Sequence, residues 1–188
     1  IIASCSTPPK AGMEIKTNTP RIREYRKMIL ELMLADHNRD CVTCEKRRDC
    51  ELLNLAKRFG VDTVRFETYS MDGTKDMSSP AIIRHPDKCI LCGDCIRICD
   101  EIQNVSAIDF TDRGSRMGVG PAFDMPLAET DCVNCGQCAA VCPTAAITIK
   151  SNVQEVWEML NDENTIVQAQ VAPAVRVALG DELNFPHG

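Results

Sequence analysis

Cys89-Ile-Leu-Cys92-Gly-Asp-Cys95-Ile-Arg-Ile-Cys99 and Cys132-Val-Asn-Cys135-Gly-Gln-Cys138-Ala-Ala-Val-Cys142-Pro143 are two copies of one pattern within a chain of 188 residues. Each has the spacing C-x2-C-x2-C-x3-C, which binds a [4Fe-4S] cluster. Three thiolates two residues apart let a short loop wrap three corners of a cube. Gly93 and Gly136 sit inside these loops, where a tight path past sulfur calls for positive φ.

Two such runs in one chain form the pattern of a two-cluster bacterial ferredoxin. The fourth cysteine of each run lies a helical turn beyond the third, too far round to close its own cube, and in such ferredoxins it ligates the other cluster. The expected sets are Cys89, Cys92, Cys95 and Cys142 for one cluster, and Cys132, Cys135, Cys138 and Cys99 for the other. Other uses of these eight residues fit poorly. Disulfides belong to oxidising compartments, and zinc ribbons use pairs of C-x2-C without a third and fourth cysteine behind.

Composition narrows the function classes. The formal net charge of -6 argues against nucleic acid as a partner, because phosphate binding needs a clustered basic face. No run of 18 apolar residues exists, so no membrane span is expected, and the cytoplasm is the expected location. Aromatic residues are only 4% of the chain, too few for a large aromatic core, and twelve cysteines suggest that metal binding supplies folding free energy instead. No Gly-rich phosphate loop of the G-x-G-x-x-G or P-loop type is present.

Upstream of the paired runs, Thr19-Pro20 reads as N-cap and first residue of a helix ending near Asp36. Ile22, Tyr25, Met28, Ile29, Leu32 and Met33 recur at helical spacing and are expected to face the core. His37, Cys41, Cys44 and Cys50 follow at spacings x3, x2 and x5. One histidine with three cysteines is an accepted structural zinc set, while a third cubane would extend a conducting chain, so ligand types alone leave both open. Glu51 to Phe59 reads as a second helix with Leu52, Leu53, Leu55, Ala56 and Phe59 inward and Gly60 after its end. Lys46, Arg47 and Arg48 read as a solvated face, with docking of an acidic partner as the alternative. Residues 67–80 read as a surface linker.

Around the paired runs, residues 81–84 and 107–110 flank the first and residues 126–128 and 146–149 flank the second as short strand candidates, so a pseudo-twofold is expected. Residues 111–125 form an insertion relative to a minimal bacterial ferredoxin. Asp100 stands after the first run where Pro143 stands after the second. Ser151 to Gln154 reads as a capping box before a helix that brings Trp157 toward the cluster unit. Residues 165–172 read as a strand.

Three stretches carry a resemblance to a known family. Residues 1–17, with Cys5, resemble the end of a plant-type [2Fe-2S] ferredoxin domain, which implies Cys5 as a ligand whose C-x4-C-x2-C partners lie upstream of this sequence. From the residues alone, Cys5 reads equally as a buried free thiol. The His-x3-Cys-x2-Cys-x5-Cys run, between that remnant and a two-cluster unit, resembles the N-terminal region of [FeFe]-hydrogenase catalytic subunits and of the large iron-sulfur subunit of complex I. The resemblance implies a [4Fe-4S] cluster on His37, Cys41, Cys44 and Cys50. Residues 165–180 resemble the opening of the hydrogen-activating domain of [FeFe]-hydrogenases.

The expected fold is α+β, built from small cluster-binding modules: a histidine-ligated [4Fe-4S] module followed by a two-[4Fe-4S] bacterial-ferredoxin-like domain. The expected domains are 1–19, the [2Fe-2S] remnant; 20–79, the histidine module; 80–150, the two-cluster domain; and 151–188, a linker helix and the start of the hydrogen-activating domain. The resemblance implies three [4Fe-4S] clusters, and one [2Fe-2S] cluster in the intact parent. It also implies electron transfer to or from a hydrogen-activating site coupled to NAD(H) and ferredoxin. The expected partners are a flavoprotein (NADH-oxidising) subunit, a small iron-sulfur subunit of the same complex, and ferredoxin. No cysteine follows Cys142, so this stretch is expected to carry electron input and no catalytic residue. The alternatives are the same modules in an NADH dehydrogenase or formate dehydrogenase subunit, and a freestanding carrier with structural zinc.

Overall fold

The computed structural model describes residues 4–66 and 74–185. Two compact units divide the chain, Ile1–Lys150 and Ser151–Gly188.

The first unit opens with helix α1, Pro20–Ala35, whose start follows the expected chemistry: the Thr19 hydroxyl accepts the Ile22 N–H and Pro20 occupies the first turn. Helix α2, Glu51–Arg58, is capped at its N-terminus by the Cys50 sulfur, which accepts the Leu53 N–H at 3.5 Å. Gly60 takes φ +61 past its end, and the Val61 N–H returns to the Ala56 carbonyl at 2.9 Å. Leu30 of α1 meets Cys50 and Leu52 in a small core joined by Leu34, Leu53, Leu55 and Phe59.

The buried face of α1 is not the expected one. Leu30, Glu31 and Ala35 are buried, whereas Tyr25, Met28, Ile29, Leu32 and Met33 are exposed. The helix carries two apolar stripes, and contact with α2 selects the shorter. The buried Glu31 carboxylate is satisfied by Arg65 Nε at 2.7 Å, which is how an acid sits on the inward side.

Strand β1, Ile82–Arg84, pairs antiparallel with β4, Ile147–Ile149, in the register Ile82–Ile149, Ile83–Thr148 and Arg84–Ile147. Between them lie α3, Asp94–Arg97, and α4, Gln137–Val141, which pack against each other. Strand β2, Asp109–Thr111, pairs with β3, Gly118–Gly120, so its partner comes from the insertion. Residues 126–128, expected as a strand, instead enter a 3₁₀ turn at Leu127–Glu129. The Leu127 N–H goes to the Asp76 carboxylate and the Ala128 N–H to Ser78 Oγ, which leaves that edge no strand ladder.

Asp76 and Ser79 also correct the linker reading for residues 74–80; the rest of that stretch, 67–73, lies outside the described residues. Asp76 bridges to Arg84 through paired backbone bonds of 3.1 and 3.0 Å, and Ser79 is buried with its hydroxyl accepting the Ala81 and Ile82 N–H groups. Asp100 and Pro143 break the symmetry between the halves. Pro143 lacks an N–H and pushes Cys142 to extended backbone (φ -69, ψ 119), ending α4. Asp100 permits continuation, and a π-helical turn over Ile98–Ile102 carries Cys99.

The second unit holds α5, Val153–Asn161, and α6, Pro173–Glu182. The capping box does not form: Ser151 Oγ accepts from Val153 N at 3.4 Å, and Asn152 at the cap bonds the Glu155 side chain. Trp157 is exposed. Residues 165–172 enter no sheet among the described residues, for a β-branched segment becomes a strand only when another supplies its ladder.

Candidate metal centre

The two cysteine loops share one backbone design. Leu91 (φ 56) and Gly93 (φ 73) occupy the left-handed region in the first, as do Asn134 (φ 55) and Gly136 (φ 75) in the second. Leu91 is held there against a cost of about 1–2 kcal/mol for a residue with a Cβ. Its N–H points back to Cys89 Sγ at 3.4 Å. Asn134 is held by its side chain, whose oxygen accepts the Ser79 hydroxyl at 2.7 Å.

Glycine is required at both loop ends for a further reason. A Cβ at Gly93 would lie 3.1 Å from the Phe110 ring and 3.2 Å from Arg97 Nη1; one at Gly136 would lie 3.1 Å from Ile149 Cδ1. We expect Gly93→Ala to lower stability by about 1–2 kcal/mol. Gly180→Ala, inside α6 with nothing within 4 Å, should be neutral or stabilising by about 1 kcal/mol. Thermal unfolding of the iron-loaded protein checks both.

Cys89, Cys92, Cys95 and Cys142 line one cavity, together with Arg84, His85 and the apolar side chains of Ile90 and Ile147. It is open in part to solvent. Burial first, and the neighbouring sulfurs after it, push the Cys89 and Cys92 thiols above their usual range and Cys95 up to about 12; Cys142 acts on all three. In the second group burial, with help from Cys132, Cys135 and Cys99, raises Cys138 to about 11. Cys142 thus lines the same cavity as Cys89, Cys92 and Cys95, and Cys99 lies close enough to Cys138 to act on it. Four soft donors around one cavity, with a backbone N–H aimed at sulfur, suit an iron-sulfur cube. Among the described residues no three His, Cys, Asp or Glu side chains converge closely enough to grip a single ion.

The third group is carried between α1 and α2. His37 follows directly on α1; Cys41 and Cys44 are half-buried in the loop; Cys50 is buried at the start of α2. His37 Nδ1 is buried with no hydrogen-bond partner. Burial holds the imidazole below its usual pKa, a backbone hydrogen bond with Lys88 opposing, which favours the neutral form that a metal needs. Asn38 fixes the loop to the other module: its N–H donates to the Asp87 carbonyl and its Nδ2 to Asp87 Oδ2, both at 2.7 Å. Ile90 packs into the core around Cys50. The segment 85–90 thus serves both places. Arg47 and Arg48 are exposed, and Cys5, also exposed, is not the buried thiol that was one reading of it.

Two family descriptions match along this chain. Residues 26–65 match the NADH-ubiquinone oxidoreductase-G iron-sulfur binding region, and residues 88–146 match the 4Fe-4S dicluster domain. The chain carries 4Fe-4S-binding domains. It is 43% identical over 185 residues to the NADP-reducing hydrogenase subunit HndD of Solidesulfovibrio fructosivorans, covering 98% of this chain and 32% of that one. It is 36% identical over 146 residues to the NADH-quinone oxidoreductase G 2 subunit of Rhizobium meliloti, covering 77% of this chain and 17% of that one. Among solved structures, an NAD+-reducing [NiFe]-hydrogenase in the H2-reduced state aligns with a TM-score of 0.72 at 28% identity, over 80% of this chain and 64% of that one. The chain spans about a third or less of the length of these curated relatives.

Sequence reasoning missed the left-handed Leu91 and Asn134, the π-turn at Cys99, and His85. Only the last left a signal, as a histidine four residues ahead of the first cysteine.

Proposed function

We propose that the chain conducts single electrons through three [4Fe-4S] clusters within a hydrogenase. His37, Cys41, Cys44 and Cys50 hold the first. Cys89, Cys92, Cys95 and Cys142 hold the second, and Cys132, Cys135, Cys138 and Cys99 the third. The grouping of Cys142 with the Cys89 triplet around one cavity is the observation that carries this reading. A [4Fe-4S] cluster, when bound, takes up and releases one electron with little change of shape. The chain's own task is to hold sulfur and nitrogen donors, keep water away and set potentials through ligand type, N–H donors and burial. A neutral imidazole in place of a thiolate at the His37 site raises the potential there.

The hydrogen bonds of Asn38 to Asp87 put the His37 site next to the segment that leads into Cys89, which supports electron exchange between those two clusters. In the intact parent Cys5 serves a [2Fe-2S] cluster. The parent is the catalytic subunit of a cytoplasmic, anaerobic [FeFe]-hydrogenase coupled to NAD(H) and ferredoxin. It works with a flavoprotein subunit and a small iron-sulfur subunit. Likeness to a hydrogenase subunit over 98% of the chain supports this; the [FeFe] type rests on the resemblance of residues 165–180. A second reading, a component of an NADH-quinone oxidoreductase, is favoured by the match over residues 26–65.

Iron, acid-labile sulfide and zinc per chain after anaerobic purification test the cluster assignment. We expect about twelve irons, twelve sulfides and no zinc, as three cubanes require. His37→Ala should then perturb one reduced-state EPR signal and leave two. Eight irons with one zinc would make the His37 site structural and overturn the first step of the wire. Sequence beyond residue 188 separates the parents: cysteine motifs for a hydrogen-activating cluster support the hydrogenase, and a molybdopterin-type domain opposes it.

A further inference from the structure

His85 has no part in the ligand sets, yet it is only 6% exposed and its Nδ1 is buried without a hydrogen-bond partner. Leaving such a nitrogen unpaired is unfavourable, a cost that an apolar residue at the same place would not carry. His85 is among the residues that line the cavity shared by Cys89, Cys92, Cys95 and Cys142. Its backbone is fixed there, because the His85 N–H donates to the Ala146 carbonyl at 2.7 Å and so continues the β1–β4 pairing by one residue. Burial and the nearby charges of Lys88 and Lys75 push the imidazole below its usual pKa, against Asp87 and Glu45; whatever its charge, a ring protonated at Nδ1 has an N–H to give there. The second half has no counterpart: four residues ahead of Cys132 stands Ala128, which is exposed.

Resting on the assignment of those four cysteines to one cube, we infer that His85 carries its proton on Nδ1 and donates it as a hydrogen bond to a sulfur of that [4Fe-4S] group, raising its reduction potential. A donor at sulfur stabilises the form with one more electron, and so favours reduction. The proton stays on nitrogen throughout; no bond forms or breaks at His85, and the one electron comes from the adjoining cluster. The two ferredoxin-type sites, alike in ligands, are thereby made unequal.

The test is an EPR-monitored redox titration of the iron-loaded protein carrying His85→Leu, His85→Asn or His85→Gln. Asparagine offers an N–H near the place of Nδ1; glutamine offers one near Nε2; leucine offers none. In His85→Leu the reduced-to-oxidised ratio of one cluster at fixed potential should fall about tenfold, equivalent to about 59 mV for one electron, while the other two do not move. The affected signal should be the one that Cys142→Ala perturbs, and His85→Asn should recover most of the shift. An unmoved midpoint, or an Asn variant shifted as far as the Leu variant, overturns the inference alone. If His85→Leu fails to load iron, the Asn and Gln variants decide: a higher midpoint in Asn supports the donor, and equal midpoints overturn it. Absence of any Cys142-dependent signal in the unaltered protein overturns the cluster assignment and this inference together.

Discussion

Cys142→Ala perturbs the same cubane signal as Cys89→Ala, and Cys99→Ala perturbs the same signal as Cys132→Ala. This is the expected result of crossed ligation, and its size is the loss of one cluster's normal EPR spectrum with the other two intact. In the chain Cys142 lies four residues from Cys138 and 53 from Cys89, so proximity in sequence predicts the opposite pairing. Its thiol nevertheless lines the cavity of Cys89, Cys92 and Cys95 and raises the pKa of each, while Cys99 acts on Cys138. The packing of α3 on α4 brings each fourth cysteine across. EPR and iron counts on the four variants check the pairing; Cys142→Ala altering the signal shared with Cys132 would sink it.

Removing the iron should abolish the cooperative fold of the ferredoxin-like half. Its core of buried residues is Ile82, Cys95, Ile108, Leu127, Cys142, Ala146 and Ile147, with Cys89, Cys99, Cys132 and Cys138 packed around it. Cysteines thus occupy much of the space that large side chains fill in an ordinary core. Three-residue strands and helices of four and five residues cannot persist without such a centre. Iron binding is in this sense folding free energy. Without it the thiols take back protons, Cys95 and Cys138 most firmly, as their raised values of about 12 and 11 require. After chelation, amide exchange at His85 and Lys150, whose N–H groups close the β1–β4 pairing at Ala146 and Ala81, should speed up at least about a thousandfold, near 4 kcal/mol. Protection that survives chelation would show a fold independent of the clusters.

Local signals in the sequence match the structure where they act over a few residues. Thr19-Pro20 starts α1, Gly60 follows α2, and Gly93 and Gly136 take positive φ, each because a short-range steric or hydrogen-bonding rule decides it. Strand pairing is less legible. The partner of β2 is Gly118–Gly120 rather than residues 126–128, because Asp76 and Ser78 take the N–H groups of Leu127 and Ala128 from about fifty residues away. Nothing near Leu127 announces that competition.

The paired cysteine spacing by itself determined that this chain carries 4Fe-4S-binding domains, since a cube of iron and sulfide imposes the same loop on any sequence that wraps it. Tertiary structure alone decided which face of α1 is buried. Met28, Ile29, Leu32 and Met33 are as apolar as Leu30 and Leu34, and only the position of α2 chooses between them. It also decided that segment 85–90 belongs to two modules, and that His85 stands in a cavity wall with a nitrogen unpaired. Burial and the aim of a side chain are set by distant parts of the chain folding together, and no local pattern encodes them.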